Sequence, residues 1–216
     1  ENDITFTEEY INVLQIQDKK LFTNVINSLN DNINNIEDTK ERIIILDNDI
    51  EIKIEKEVLL IIDVFNIDFN QKKIQSALYN KIEKIYKQEF ERMSEFQTIF
   101  QKLQLNVLDV FNEFPFEFNY KESIGYLKLL GLKISNNKGK IIDTVFSLID
   151  VVEYLSVAKL LVFVNLKLYL SDDELNEIYK YAMYKKVNIL LIETGEEKEP
   201  IKNEKILFVD SDYDEI

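Results

Sequence analysis

Ala158–Glu193, reading AKLLVFVNLKLYLSDDELNEIYKYAMYKKVNILLIE, decides the fold. Leu160–Val164 is short, continuously apolar and rich in branched and aromatic side chains, which is the composition of a strand covered on both faces. Ser171-Asp172-Asp173-Glu174 then carries a capping box. The Ser171 hydroxyl can accept from an early amide, Glu174 can reach back, and the two aspartates favour the positive end of a helix. Leu175, Ile178, Tyr179 and Ala182 recur at helical spacing, so one side of that helix faces a core. Val187–Ile192 is a second buried strand. Strand, helix and strand in this order predict a right-handed βαβ unit in a parallel sheet.

Outward from this unit, Ile11–Ile16 reads as a strand and about Lys19 to Asn30 as a helix, with an asparagine-rich loop over 30–40. Arg42–Leu46, Glu51–Ile54 and Val58–Ile62 are strand candidates, the first two joined by a turn at Asp47-Asn48-Asp49. From Asn70 the period becomes helical. Ile74, Leu78, Ile82, Ile85, Met93, Phe96, Phe100, Leu103, Val107 and Val110 mark one stripe that meets no Pro or Gly before Pro115. An unbroken helix of that length would run roughly 65 Å, which overhangs a small sheet and implies a helical extension or a contact between subunits. Glu122–Leu130 and Ile141–Tyr154 are two further helices around the loop Ser135–Lys140. The reading is an α/β head built from residues 1–66 and 157–216, with an all-helical extension at 67–156 inserted into it.

The composition removes several chemistries. These 216 residues contain no Cys and no His, so disulfides, thiolate or imidazole zinc sites and Cys–His or Ser–His catalysis are excluded. The absence of Cys fits a reducing compartment. No apolar run reaches membrane-spanning length, and nothing at the start resembles a secretory signal. The net charge of -14 argues against a nucleic-acid partner until its distribution is considered. Lys72–Arg92 holds six basic against three acidic residues, and Pro115–Lys140 holds five lysines against Glu117 and Glu122. Glu193–Ile216 has nine acidic residues and three lysines. The middle is therefore basic and the flanks acidic. Only Arg42 and Arg92 are arginines. Arginine is the usual reader of guanine edges and lysine a point charge for phosphates, so any DNA binding here should follow the backbone rather than the sequence.

Four groups of residues are candidate sites. A parallel sheet invites a nucleotide at the carboxyl ends of its strands, yet no GxxxxGK[ST] loop is present; Asp63 after VLLII is a strand-end aspartate without one. Asp47, Asp63, Glu193 and Asp210 all close apolar runs. Gathered together they could hold a divalent ion for hydrolysis; separately they are turn and solubility residues. The segment Asp109–Glu122, DVFNEFPFEFNYKE, offers hard oxygen donors at a bend broken by Pro115, which suits calcium as well as a solvated acidic turn. Finally, Lys121, Lys128, Lys133, Lys138 and Lys140 form either solvated surface charge or a phosphate-tracking stripe.

VFVNLKLYLSDDEL, KKVNILLIE and the tail KILFVDSDYDEI, with INVLQIQDKKLFTNVINSL near the start and YLKLLGLKI in the middle, resemble the Csn2 family of the subtype II-A CRISPR systems. The resemblance covers nearly the whole chain and rests on apolar strands with a few fixed polar positions, not on a catalytic signature. It implies a cytoplasmic, non-enzymatic protein whose sheet is like that of P-loop ATPases without the phosphate loop. It further implies a homotetrameric ring whose lysine-lined hole encloses double-stranded DNA ends during spacer acquisition, alongside the integrase and effector nuclease of the same system. Calcium near the extension is implied as well, with Glu117, Asn119 and Glu122 as its ligands, and Lys128 as the lysine best matched to the family. A metal-dependent phosphoesterase using the strand-end carboxylates and a helical interaction scaffold are the alternatives.

Overall fold

The structure, a computed structural model, describes residues 4–36, 43–47, 49–88, 95, 98–99, 101–103, 105–106, 109, 131–135 and 139–212. Five strands form one sheet: β1 (Ile11–Ile16), β4 (Val58–Ile61), β5 (Leu160–Val164), β6 (Asn188–Thr194) and β7 (Glu204–Val209). Their order is β4-β5-β6-β1-β7 and every pairing is parallel. A separate antiparallel pair, β2 (Leu46–Asp47) and β3 (Ile50–Glu51), makes a small hairpin. Asp49 takes a left-handed φ of 63° in its turn, a conformation that Asp tolerates better than most residues.

Helix α1 (Lys19–Ile33) follows β1, and α2 (Ile54–Glu57) is a single turn ahead of β4. Ile16, Leu29, Ile54, Val58, Leu160, Val162 and Ile192 form a buried cluster, with Leu21, Phe22, Val25 and Ile26 of α1 packed onto it. Leu160 and Val162 lie in that cluster, so alternation turns Leu161 and Phe163 to the opposite face, where both are fully buried. That dual coverage explains why β5 has no polar position. Helix α4 (Ile141–Leu155) packs against α5 (Asp172–Lys185), and α5 lies on β6. The tie between the two helices is partly polar: Tyr181 donates to Asp150 at 2.7 Å, Lys185 pairs with Asp150 at 2.7 Å, and the Tyr181 ring meets Phe146 edge to face.

The chain divides into two compact units, residues 1–69 with 136–216, and residues 70–135. The sequence reading extends the insertion to residue 156. In the structure Ile141–Leu155 belongs to the sheet-bearing unit, because Ile142, Val145, Leu148, Ile149 and Val152 are buried there. In the second unit α3 (Lys72–Gln88) starts the long stripe. Asn70 makes two hydrogen bonds to Ile134, one with its amide and one with its carbonyl, both 2.9 Å. The Tyr79 hydroxyl donates to Leu132 O at 3.3 Å. These contacts fasten residues 132–134 to the root of α3. Ile85 and Leu103, both on the stripe, are exposed within the single chain.

Candidate functional site: the carboxyl ends of the sheet and the lysine-bearing segment

In a sheet of this order the chain leaves β1 toward β4 and leaves β6 toward β7, in opposite directions. The crevice between the carboxyl ends of β1 and β6 is therefore where a nucleotide would sit in an open parallel fold. Here the protein's own groups bond across the strand ends. Gly195 N donates to Ile16 O at 3.2 Å, and the Gln15 amide donates to the Glu196 carbonyl. On the other side Gln17 N donates to Val209 O at 2.9 Å, and Ser211 N to Gln17 Oε1 at 3.1 Å. Gly195 reaches β1 with a φ of 133°, which only glycine adopts without strain. Between β1 and α1 stand only Gln17 and Asp18, and the Asp18 carboxylate accepts from Leu21 N at 2.7 Å. A carboxylate thus occupies the helix N-terminus that would otherwise attract a phosphate. A two-residue connection also leaves no backbone to wrap one.

The strand-end carboxylates are dispersed. Asp47 lies on the hairpin, outside the main sheet, and pairs with Lys159 at 2.5 Å. Asp63, Glu193 and Asp210 follow or close β4, β6 and β7, and two strand spacings, roughly 10 Å, separate each from the next. Each is also engaged locally. Asp63 accepts from Phe65 N at 2.9 Å and from the Asn66 amide at 2.6 Å, and these bonds hold its carboxyl below the usual range. Asp210 accepts from Asp212 N at 2.8 Å. Among the described residues no group of three or more acidic side chains is placed to hold a metal ion. The hydrolytic alternative has no shared centre in this region.

Glu193 differs from the other three because it is buried, at 4% exposure. It accepts from Lys167 N at 3.1 Å, in the 3-10 turn Leu166–Leu168 that joins β5 to α5. Burial pushes its carboxyl up to about 7, against the opposing pull of the Lys167 and Leu166 amides and the charges of Lys167 and Lys198. The Lys167 ammonium turns instead to Glu204 at 2.7 Å, and Tyr179 donates to the same carboxylate at 2.8 Å. Burial first, then the Glu204 charge, drives the Tyr179 hydroxyl far above its ordinary range. The second Glu204 oxygen accepts from Ile201 N at 3.0 Å. This network links β5, α5 and β7, and two of the acids in the strongly acidic tail are consumed inside the molecule rather than displayed on it. Sequence reading took Tyr179 as an apolar helix position and passed over Lys167 and Glu204. Helical spacing reports that a side is buried, and it does not report that a phenol oxygen finds a carboxylate there.

Of the five lysines, Lys133 and Lys140 lie within the described residues, and both are exposed. Lys133 sits between Leu132 and Ile134, so its backbone is held by the Asn70 and Tyr79 contacts while its side chain faces water. Lys140 precedes the first turn of α4, where Asp143 accepts from its amide at 3.3 Å. Lys121, Lys128 and Lys138, and the calcium candidates Glu117, Asn119 and Glu122, lie outside the described residues.

The fold and these sites define an α/β protein with a parallel sheet that lacks a phosphate loop and bonds its own groups across the carboxyl ends of β1 and β6. The sequence matches the family of CRISPR-associated proteins Csn2 over residues 35–213, and the chain belongs to that family. It is 27% identical over 143 residues to the CRISPR-associated protein Csn2 of Streptococcus agalactiae, a match covering 63% of each chain. It is 36% identical over 66 residues to the Csn2 protein of Enterococcus faecalis, covering 31% of this chain and 30% of that one. The chain thus spans less than two thirds of the length of these relatives in the matched stretches. The crystal structure of Stu0660 of Streptococcus thermophilus shares the fold, with a TM-score of 0.59, 13% identity, and coverage of 91% of this chain and 69% of that one.

Proposed function

We propose that this protein binds double-stranded DNA ends, without regard to sequence, as a homotetrameric ring during CRISPR spacer acquisition. The observation that carries the reading is Lys133. It is an exposed cation on a backbone segment pinned to the root of α3, within the lysine-rich stretch of an otherwise acidic chain. Membership of a CRISPR-associated family supports the setting. Lys121, Lys128, Lys133, Lys138 and Lys140 would neutralise phosphates, and the scarcity of arginine removes the usual base reader. An acidic exterior around a basic lumen would confine a duplex to the hole by field focusing. Exposure of Ile85 and Leu103 in the isolated chain supports burial of the stripe between subunits. The integrase and effector nuclease of the same system would be the partners in acquisition.

Calcium completes the reading. Two carboxylates and a carboxamide oxygen, from Glu117, Glu122 and Asn119, are a donor set that fits this ion and fits soft metals poorly. Bound there, the ion would supply charge neutralisation and hold the extension in one arrangement.

A closed ring loads a duplex only by threading from an end, whereas a basic surface patch binds a circle as well as a linear piece, because phosphate contacts do not sense ends. Linear plasmid should be shifted in a gel at protein concentrations where the supercoiled or nicked circle is not. Bulky caps on both ends should suppress loading, and relinearising the circle should restore it. If circles and capped fragments bind as tightly as free linear duplex, the lysines form an open patch and the threading ring is wrong.

A further inference from the structure

β4 and β5 are neighbours, with Ile61 opposite Phe163, so the turns that follow them lie side by side at the carboxyl rim of the sheet. Together they expose four large apolar side chains: Ile62 at 55%, Phe65 at 63%, Leu168 at 58% and Tyr169 at 45%. The Phe65 and Tyr169 rings meet edge to face with centroids 4.8 Å apart. Both rings stand on fixed turns. Phe65 is held by the Asp63 carboxylate, with Val64 buried beside it, and Tyr169 N donates to the carbonyl of Leu166, which is fully buried. A preformed aromatic pair in water is a surface waiting for cover rather than a floppy loop tip.

Charge selects the cover. Asp63, Asp172 and Asp173 are exposed on these two turns and at the start of α5. Lys167, in the turn after β5, is turned away into Glu204, and the charge of Lys140 reaches Glu174 in the first turn of α5, which leaves carboxylates in excess. A nucleic-acid strand or an anionic membrane is repelled by such a rim. The same rim of a second copy would bring like charges together, which disfavours self-pairing through it. A guanidinium or ammonium is attracted by both features at once, over the ring faces and toward the carboxylates.

We propose that the carboxyl rim of β4 and β5, centred on Phe65 and Tyr169, docks a basic polypeptide segment that presents arginine or lysine beside apolar side chains. This is a protein-binding surface, and the proposal does not rest on the reading of the lysines as a DNA site.

The test titrates the full-length chain into a fluorescein-labelled dodecapeptide alternating arginine with leucine, followed by anisotropy. Parallel titrations use an arginine–serine and a glutamate–leucine peptide. The arginine–leucine peptide should bind and the other two should bind at least tenfold more weakly. Phe65→Ala with Tyr169→Ala should weaken binding by about tenfold or more, as expected of truncated aromatic anchors, and Asp173→Lys alone by a few-fold. All three residues are exposed, so unchanged melting curves check that the variants fold. Equal binding by wild type and the double variant overturns the proposal. So does loss of the wild-type oligomeric state in the double variant by sedimentation, because a second copy would then be the occupant. Competition for the peptide by a short DNA duplex in the wild type but not in the double variant would overturn it too, by making the rim a nucleic-acid site.

Discussion

Glu193→Gln isolates the energetic consequence of burying a carboxylate at the carboxyl end of β6. The carboxyl has its ordinary value of 4.5 in the unfolded chain and about 7 in the folded one, burial being the dominant cause. Between these values the native state holds a proton that the unfolded state has lost, so stability falls as pH rises across that window and levels off above it. A shift from 4.5 to about 7 corresponds to ~3 kcal/mol when fully expressed. Glutamine keeps the shape and keeps an oxygen to accept from Lys167 N, while it cannot ionise. Part of this is already lost at pH 5, so relative to wild type the variant should gain ~2.5 kcal/mol between pH 5 and pH 8, whatever the offset at pH 5 from its new amide donors. At 2–4 °C per kcal/mol for a domain of this size, the difference in Tm between variant and wild type should move by ~5–10 °C over that range. Thermal or urea melts at pH 5, 6, 7 and 8 measure it. The comparison cancels the general relief of self-repulsion that an acidic protein enjoys at low pH. Parallel curves for the two proteins across the whole range would refute the reasoning, and would mean that Glu193 is hydrated or compensated in the native state.

Replacing Lys128, Lys133 and Lys138 by Glu should abolish duplex binding in a gel shift, whereas the same change at Lys19, Lys180 and Lys186 should leave most of it; equal losses would displace the basic stripe. Lys185 is unsuitable as a control, because its pairing with Asp150 holds α4 to α5. If Glu117, Asn119 and Glu122 ligate calcium, the ion should raise the Tm by mass action, and chelation should leave the sheet folded, as read by hydrogen exchange; identical melts with ion and with chelator would remove the site. Asp18→Ala removes the acceptor for Leu21 N and should cost about 1 kcal/mol, read in urea melts. Tyr179→Phe leaves the buried Glu204 with one donor fewer and should cost about 1.5–3 kcal/mol, with no effect on duplex binding.

What the chain discloses by periodicity matches what its neighbours determine least. β5 lies at Leu160–Val164, the range read from its apolar run, because continuous burial on both faces leaves no room for a polar residue to blur the ends, and β1 lies at Ile11–Ile16 as read although it buries the polar side chains of Asn12 and Gln15. The capping box at Ser171 is also present, with Ser171 N donating to Glu174 at 2.9 Å. Where side chains compete with the backbone, boundaries move. α1 continues to Ile33 rather than stopping near Asn30, since Asn32 and Asn34 bond back to Ser28 and Asn30 carbonyls at 2.7 and 2.8 Å and extend its last turn. The strand candidate Glu51–Ile54 divides, Glu51 closing the hairpin and Ile54 opening the single turn α2, because Ile54 is claimed by the core beside Leu29 and Val58.

The site was legible in a different proportion, and the reason is geometric. A phosphate loop is local in sequence, so its lack can be read directly between Ile16 and Lys19. What replaces it is not local. Gln15 meets the Glu196 carbonyl, Ser211 meets Gln17, and Lys167 meets Glu204, contacts that only the β4-β5-β6-β1-β7 order brings about. The same order separates Asp63, Glu193 and Asp210, which look alike as strand-end acids in the sequence. One of them becomes a buried group titrating near neutrality, and the other two become braces of exposed turns. The bonds at the strand ends also bear on where function can lie. With Gly195 and Ser211 bonded to Ile16 and Gln17 at the ends of the strands, the two surfaces proposed above lie away from the classical nucleotide position. The lysines proposed for DNA and the rim proposed for a basic segment carry opposite charge, so the two proposals call for different partners and can be tested separately.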